Sequence, residues 1–213
     1  MAQNTESEVA ESDVADTHVV ADPRRAESRF RLLRTERVHD GWARFLIARY
    51  ATTDGGEITR EIEDHGDAVA VLPYDPQRGT VFLVRQFRAP VAIASGASDT
   101  LEACAGCVEP GEDAETCALR ELEEECGLVP LTLERIATLW SMPGVSTERL
   151  TYFLAEVDGT TRGEGGGRDD EHEFITVIEV PVAELAGPDR FARMPDVKSQ
   201  FLLDRLLDRL AGR

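Results

Sequence analysis

The chain has 213 residues, of which 42% are hydrophobic, and carries a formal net charge of −18. That apolar content supports one packed domain and excludes global disorder, while the acidic excess excludes a surface built to neutralise nucleic-acid phosphates. No apolar run approaches the roughly 20 residues needed to span a bilayer. The N-terminus has neither the basic start nor the apolar run of a signal peptide, so a cytoplasmic location is expected. In a reducing compartment Cys104, Cys107, Cys117 and Cys126 are expected as thiols.

In chain order, residues 1–28 are polar and acidic and read as a disordered tail. Residues 29–66 hold three β-rich runs separated by Asp40-Gly41 and Asp54-Gly55-Gly56, the pattern of an antiparallel β meander. Residues 67–213 then form the main domain. Strands are expected at 68–74 and 80–87 around the turn-forming "DPQRG", and at 100–104. Residues 113–126 read as a helix with Leu119, Leu122 and Cys126 toward the core. "ERIATLW", "RLTYFLAEV" and "FITVIEV" read as strands, and the last helix has Phe201, Leu202, Leu206 and Leu210 on one stripe. Between the last two of those strands, Gly163, Gly165, Gly166 and Gly167 are expected to leave 158–172 flexible. The fold class is α+β: a mixed sheet with helices on its faces, preceded by the meander.

The helix at 113–126 poses an electrostatic problem. Seven carboxylates lie between Glu112 and Glu125, and like charges at i,i+4 repel by roughly 0.2–0.5 kcal/mol per pair. Glu121 and Glu125 share one face, with Glu124 beside Glu121 and Arg120 adjacent. Hard divalent cations such as Mg²⁺ take oxygen ligands of this kind, completed by substrate phosphates. Ahead of the helix, Gly106 marks a turn that can expose a backbone carbonyl, and Glu112 suits the positive end of the helix dipole. The C-x2-C of Cys104 and Cys107 lacks a second close pair and reads as packed or semi-exposed thiols rather than a zinc site.

The spacing is specific. Gly106, Glu112, Arg120, Glu121, Leu122, Glu124, Glu125, Gly127 and Leu128 match G-x5-E-x7-R-E-U-x-E-E-x-G-U, with U aliphatic, at every defined position. This is the Nudix box, and the chain resembles the Nudix hydrolases. The resemblance implies an α/β/α sandwich with a mixed β-sheet and hydrolysis of a nucleoside diphosphate linked to a second moiety. It implies Glu121 and Glu125 as metal ligands with the Ala105 carbonyl as a third, and Glu124 assisting. Arg120 would orient the glutamates, with Glu112 and Gly127 supporting the box. Mg²⁺ is the expected ion, with Mn²⁺ as the alternative.

Further stretches, "AVAVLPYDPQRGTVFLVRQFR", "LEACAG" and "SMPGVSTER", resemble the ADP-ribose pyrophosphatases and their nucleotide-sugar relatives. In that branch Arg88 would contact the diphosphate, Gly106 and Pro143 would lie on the substrate side, and Glu148 would hold water or the terminal ribose. A loop glutamate, Glu171 first and Glu173 second, would act as base or metal-bound partner. Of the four histidines only His172 falls in that loop, where it reads as an incidental loop residue. The resemblance implies hydrolysis of ADP-ribose to AMP and ribose 5-phosphate, with GDP-mannose or another nucleotide sugar as the alternative, and a non-catalytic sugar-nucleotide sensor as a third. One departure bears on the base: Glu63 stands where the branch usually carries a stacking aromatic, so Trp42, Phe45 or Tyr50 would have to substitute. A homodimer through the meander is implied, with packing of the meander back on its own domain as the alternative.

Overall fold

The computed structural model describes residues 28–167 and 174–213. The expected tail up to residue 27 lies outside them, as do Glu171, His172 and Glu173 of the acidic loop. The meander forms as expected. Strands β1 (Phe30–Asp40), β2 (Arg44–Thr52) and β3 (Glu57–Asp64) pair antiparallel in the order β1-β2-β3. Its last strand is tied to the main domain: Glu63 N–H donates to Val145 O at 2.8 Å, and Thr147 N–H donates to Glu63 O at 3.1 Å. β1, at the far edge, is exposed along its whole length.

The second sheet is mixed, as its strand partners require. β4 (Ala68–Asp75) runs parallel to β9 (Arg149–Glu156), while β8 (Thr132–Trp140), β5 (Thr80–Phe87) and β10 (Thr176–Pro181) pair antiparallel with their neighbours, giving the order β10-β5-β4-β9-β8. β4 is buried throughout, and its alternation divides the core. Ala70, Leu72 and Tyr74 face Leu202, Leu203 and Leu206 of α5 (Val197–Leu210). Val69 and Val71 face Cys117, Leu122 and Cys126 of α2 (Ala114–Cys126) on the other side. The sheet therefore lies between two helices, an α/β/α sandwich.

The expected strand at 100–104 is two strands. β4 and β5 pair only at Tyr74↔Val81 and Asp75↔Thr80. Farther along, β6 (Asp99–Glu102) pairs with β5, and β7 (Cys104–Cys107) pairs with β4. Ala103 makes the step between them, its N–H donating to the buried Ser199 Oγ at 2.6 Å. This crossing carries Glu102 and Ala105 to one end of the sheet. Short helices α1 (Ala89–Ser95), α3 (Val182–Leu185) and α4 (Arg190–Arg193), absent from the sequence reading, fill connections.

Two apolar assignments change. Leu119 is 45% exposed, because α2 buries the Cys117, Ala118, Glu121, Leu122, Glu125 and Cys126 face. Leu210 is 55% exposed, one turn beyond the part of α5 that crosses the sheet. Within the glycine segment, described as far as residue 167, three backbone amides meet α2. Gly163 N–H donates to Gly127 O at 2.7 Å, Gly166 N–H to Glu125 O at 2.8 Å and Gly167 N–H to Glu124 O at 3.0 Å. These amides satisfy carbonyls left over at the C-terminal end of α2. Only glycine permits the approach: a Cβ on Gly165, at φ +61°, would lie 2.6 Å from the Cys126 carbonyl carbon.

Candidate active site

The local signals that start and stop α2 set its carboxylates in place. Asp113 caps the helix, accepting from Thr116 N–H at 2.8 Å. Gly127, at φ +65°, ends it in the left-handed conformation. Between them Glu121 and Glu125 fall on the face turned toward β7, 9% and 2% exposed. Ala105 N–H donates to Glu125 Oε2 at 3.1 Å. Gly106 abuts Glu121 so closely that a Cβ there would fall 1.8 Å from Glu121 Oε1. The residue types at 105, 106, 121 and 125 thus meet through one strand-to-helix contact.

Arg120 organises the remaining carboxylates. Its Nε and Nη2 donate to Glu112 at 3.0 and 3.1 Å, and its Nη1 donates to Glu121 Oε1 at 2.7 Å and Glu124 Oε2 at 3.1 Å. Nη2 also reaches the Cys107 carbonyl at 3.2 Å. The Arg120 guanidinium holds the Glu112 carboxyl down at about 2, and in return the arginine's own pKa is raised. Glu112 further accepts from Glu109 N–H at 3.0 Å, which closes the loop ahead of the helix.

The residues fit a hard divalent cation by donor chemistry. Four carboxylates, of Glu112, Glu121, Glu124 and Glu125, are grouped with one guanidinium, and all their donor atoms are oxygen. The missing side chain at Gly106 leaves the Glu121 carboxylate its place. Among the described residues no three His, Cys, Asp or Glu side chains are arranged to hold a metal by themselves. The set implied by resemblance, two carboxylates and the Ala105 carbonyl, needs no third acidic side chain.

Beside this cluster lies a cleft of two joined cavities, about 320 and 240 Å³, that share Trp42, Arg88, Ala105, Gly106 and Cys107 as wall. Arg88 makes a bidentate pair with Glu102, at 2.9 and 2.8 Å. Glu102 is also contacted by Lys198, which pairs with Asp196 at 3.1 Å. Burial alone would raise the Glu102 carboxyl, but the hydrogen bond from Arg88 and the charge of Lys198 hold it at about 2. Both cations are therefore anchored at the wall by one buried anion.

Glu148 stands on the same cleft, where it receives a contact from His65 Nε2 at 3.1 Å. Pro143 does not meet these groups: it lines a separate groove of about 610 Å³ with Tyr50, Ile62 and Trp140, between β3 and the β8–β9 loop. Trp42, in the β1–β2 turn, is 80% exposed at the rim of the cleft and stacks on His65 with centroids 4.8 Å apart at 22°. His65 thus lines the same cleft as Arg88 and Glu148, a place the sequence reading did not give it; His172 lies outside the described residues. No local pattern marks His65. Lys198, also missed, is distinguished only as the single lysine in the sequence.

Comparison with known proteins agrees with this geometry. The NUDIX domain family model matches residues 64–201. The chain is 35% identical over 178 residues to a GDP-mannose pyrophosphatase of Pectobacterium atrosepticum, covering 80% of this chain and 90% of that protein. It is 38% identical over 121 residues to an ADP-ribose pyrophosphatase of Escherichia coli K12, covering 57% and 58%. A solved structure titled as an ADP compounds hydrolase superposes with a TM-score of 0.70 at 20% identity, covering 88% of this chain and 97% of its own, which supports the fold. With its box residues assembled on β7 and α2, the chain belongs to the Nudix family.

Proposed function

We infer that the protein is a divalent-metal-dependent hydrolase of nucleoside diphosphate sugars, cleaving ADP-ribose to AMP and ribose 5-phosphate. The observation that carries this reading is the meeting of Gly106, Glu121, Glu125 and the Ala105 backbone beside a cleft walled by Arg88 and Lys198. A divalent cation, Mg²⁺ in this reading with Mn²⁺ as the alternative, would supply positive charge against the diphosphate and acidity to a water once bound. Glu121 and Glu125 would hold it, with Glu124 assisting and Arg120 keeping the glutamates oriented. Arg88 and Lys198 would meet the diphosphate, whose cleavage depends chiefly on positioning and charge stabilisation. Glu148 would orient water or the distal sugar, and Glu171 or Glu173 would supply the base.

Trp42 is the candidate platform for the nucleobase, taking the part that Glu63 cannot play. A second substrate reading, GDP-mannose, is favoured by relatives of that name that match over 88–90% of their length, against 58–60% for those named for ADP-ribose. The reading includes a homodimer formed through the meander, supported by the exposed Phe30, Leu32 and Val38 of β1. It includes a reducing, cytoplasmic setting, supported by four free cysteines. No helix among the described residues is long and apolar enough to cross a membrane.

The test is release of phosphate by an added phosphatase, with Mg²⁺, across ADP-ribose, GDP-mannose, UDP-glucose and NADH. Turnover of ADP-ribose that disappears in Glu125→Gln is the expected result. Preference for GDP-mannose would replace the substrate, and turnover of none of the four would reject the reading. A mass near 23.5 kDa by light scattering would reject the dimer.

A further inference from the structure

His65 follows β3 and joins three parts of the molecule. Its Nδ1 makes a short contact with Glu63 Oε1, and its Nε2 lies 3.1 Å from Glu148 Oε1, which is 83 residues away in sequence. The Trp42 indole stacks on the same ring. The side chains of His65, Glu63 and Glu148 are all largely buried. A carboxylate only accepts hydrogen bonds, and a neutral imidazole has a single N–H. With both glutamates ionised, the two contacts are hydrogen bonds together only when the ring is an imidazolium.

The neighbouring charges leave that demand in place. Across the cleft stand Arg88 and Lys198, both bound to Glu102, with Asp196 on Lys198 and the Cys107 thiol between. Burial opposes charge on His65, but its hydrogen bonds to Glu63 and Glu148 outweigh burial and raise its pKa above the ordinary 6.5. The backbone bonds from Glu63 to Val145 and from Thr147 to Glu63 hold the two carboxylate-bearing segments side by side.

We propose that His65 is a positioning residue: its imidazolium, clamped between Glu63 and Glu148 under Trp42, holds the stacking platform and the Glu148 carboxylate at the mouth of the nucleotide cleft. The proposal rests on the reading of that cleft as the nucleotide site. When the ring loses its proton, one contact becomes a lone pair facing a carboxylate, and the indole loses the cation against its face. The sign follows from the raised pKa. The clamp is complete below the unfolded-state value near 6.5 and is lost as pH rises through the higher folded-state value. Substrate affinity weakens in that window, while the α2 carboxylates keep their own partners.

The experiment uses the full chain carrying Trp140→Phe, so that Trp42 is the sole indole, and reads its emission against pH without substrate. A stacked imidazolium quenches indole emission, so emission is expected to rise through a midpoint above 6.5 and to lose that step in His65→Gln. In the hydrolysis assay at neutral pH, His65→Gln is expected to raise KM about tenfold, equivalent to ~1.4 kcal/mol. His65→Arg, a permanent cation, is expected to recover KM and remove its pH dependence. The same emission step in His65→Gln, a midpoint at or below 6.5, or a KM indifferent to His65 would each overturn the clamp. Turnover of nucleotide sugars with no His65-dependent step rejects the clamp alone. A His65-dependent step without turnover of any sugar nucleotide rejects the hydrolase reading and leaves the clamp standing.

Discussion

Replacing Gly106 by alanine tests the site at its tightest contact. The new Cβ would lie 1.8 Å from Glu121 Oε1 and 2.0 Å from Glu121 Cδ, against 3.4–4 Å for ordinary van der Waals contact. The carboxylate must therefore retreat by more than an ångström. It is the far end of a flexible side chain, so the strand and helix backbones can stay where they are. What is lost is its position and the 2.7 Å bond from Arg120 Nη1. A hydrogen bond to a charged group contributes about 1.5–3 kcal/mol, and a domain of this size shifts its Tm by roughly 2–4 °C per kcal/mol. A misplacement of about 1 Å in a catalytic constellation costs on the order of 100-fold in rate. Gly106→Ala is thus expected to remain folded, melt a few degrees lower and lose kcat by about two orders of magnitude. Thermal denaturation and steady-state hydrolysis at saturating Mg²⁺ measure both. A variant that keeps most of its kcat would refute the placement of Glu121 in the reacting centre. One that fails to fold would refute the claim that only a side chain has to move.

Three other perturbations separate stability from function. Glu102, held at about 2 against an ordinary 4.5, contributes stability fully present above 4.5 and lost as pH falls toward 2, amounting to about 3 kcal/mol. Glu102→Gln removes the buried anion between Arg88 and Lys198, leaving Lys198 only Asp196, and should cost about 3 kcal/mol in urea unfolding at pH 7. It should also flatten the acid limb, so parallel losses in variant and wild type between pH 5 and 3 would contradict the assignment. Trp42→Ala should raise KM by roughly 5- to 150-fold, the range for removing about 1–3 kcal/mol of base stacking. Trp42→Phe should recover most of it, and an unchanged KM in the alanine variant would remove Trp42 from the site. Gly165→Ala, at φ +61° and 2.6 Å from the Cys126 carbonyl carbon, should destabilise the end of α2 by about 1–3 kcal/mol. Urea stability equal to wild type would show that the glycine segment is not docked there.

The helix and strand patterns determined a large part of this protein. The apolar runs at 68–74 and 80–87, set apart by the turn-forming "DPQRG", foretold β4 and β5. The spacing from Gly106 to Leu128 foretold α2, with its start after Glu112 and its stop at Gly127. All of these depend on residues a few positions apart. Leu119 and Leu210 were misassigned for the complementary reason: a helical stripe says which residues share a face but not where the sheet beneath it ends. Likewise, glycine composition signals backbone freedom, and only the neighbouring α2 carbonyls decided that Gly163, Gly166 and Gly167 use it to dock.

The cleft itself was decided by tertiary structure. His65 meets Glu148 across 83 residues, and Lys198 meets Glu102 across 96. Pro143, close in sequence to Glu148, faces a different groove because the loop that bears it folds against β3. Sequence spacing governs geometry only while the chain remains within one helix, strand or turn. Beyond that, the meeting of two residues depends on how β6 and β7 cross between diverging strands and on where α5 begins, which only the packed sheet determines.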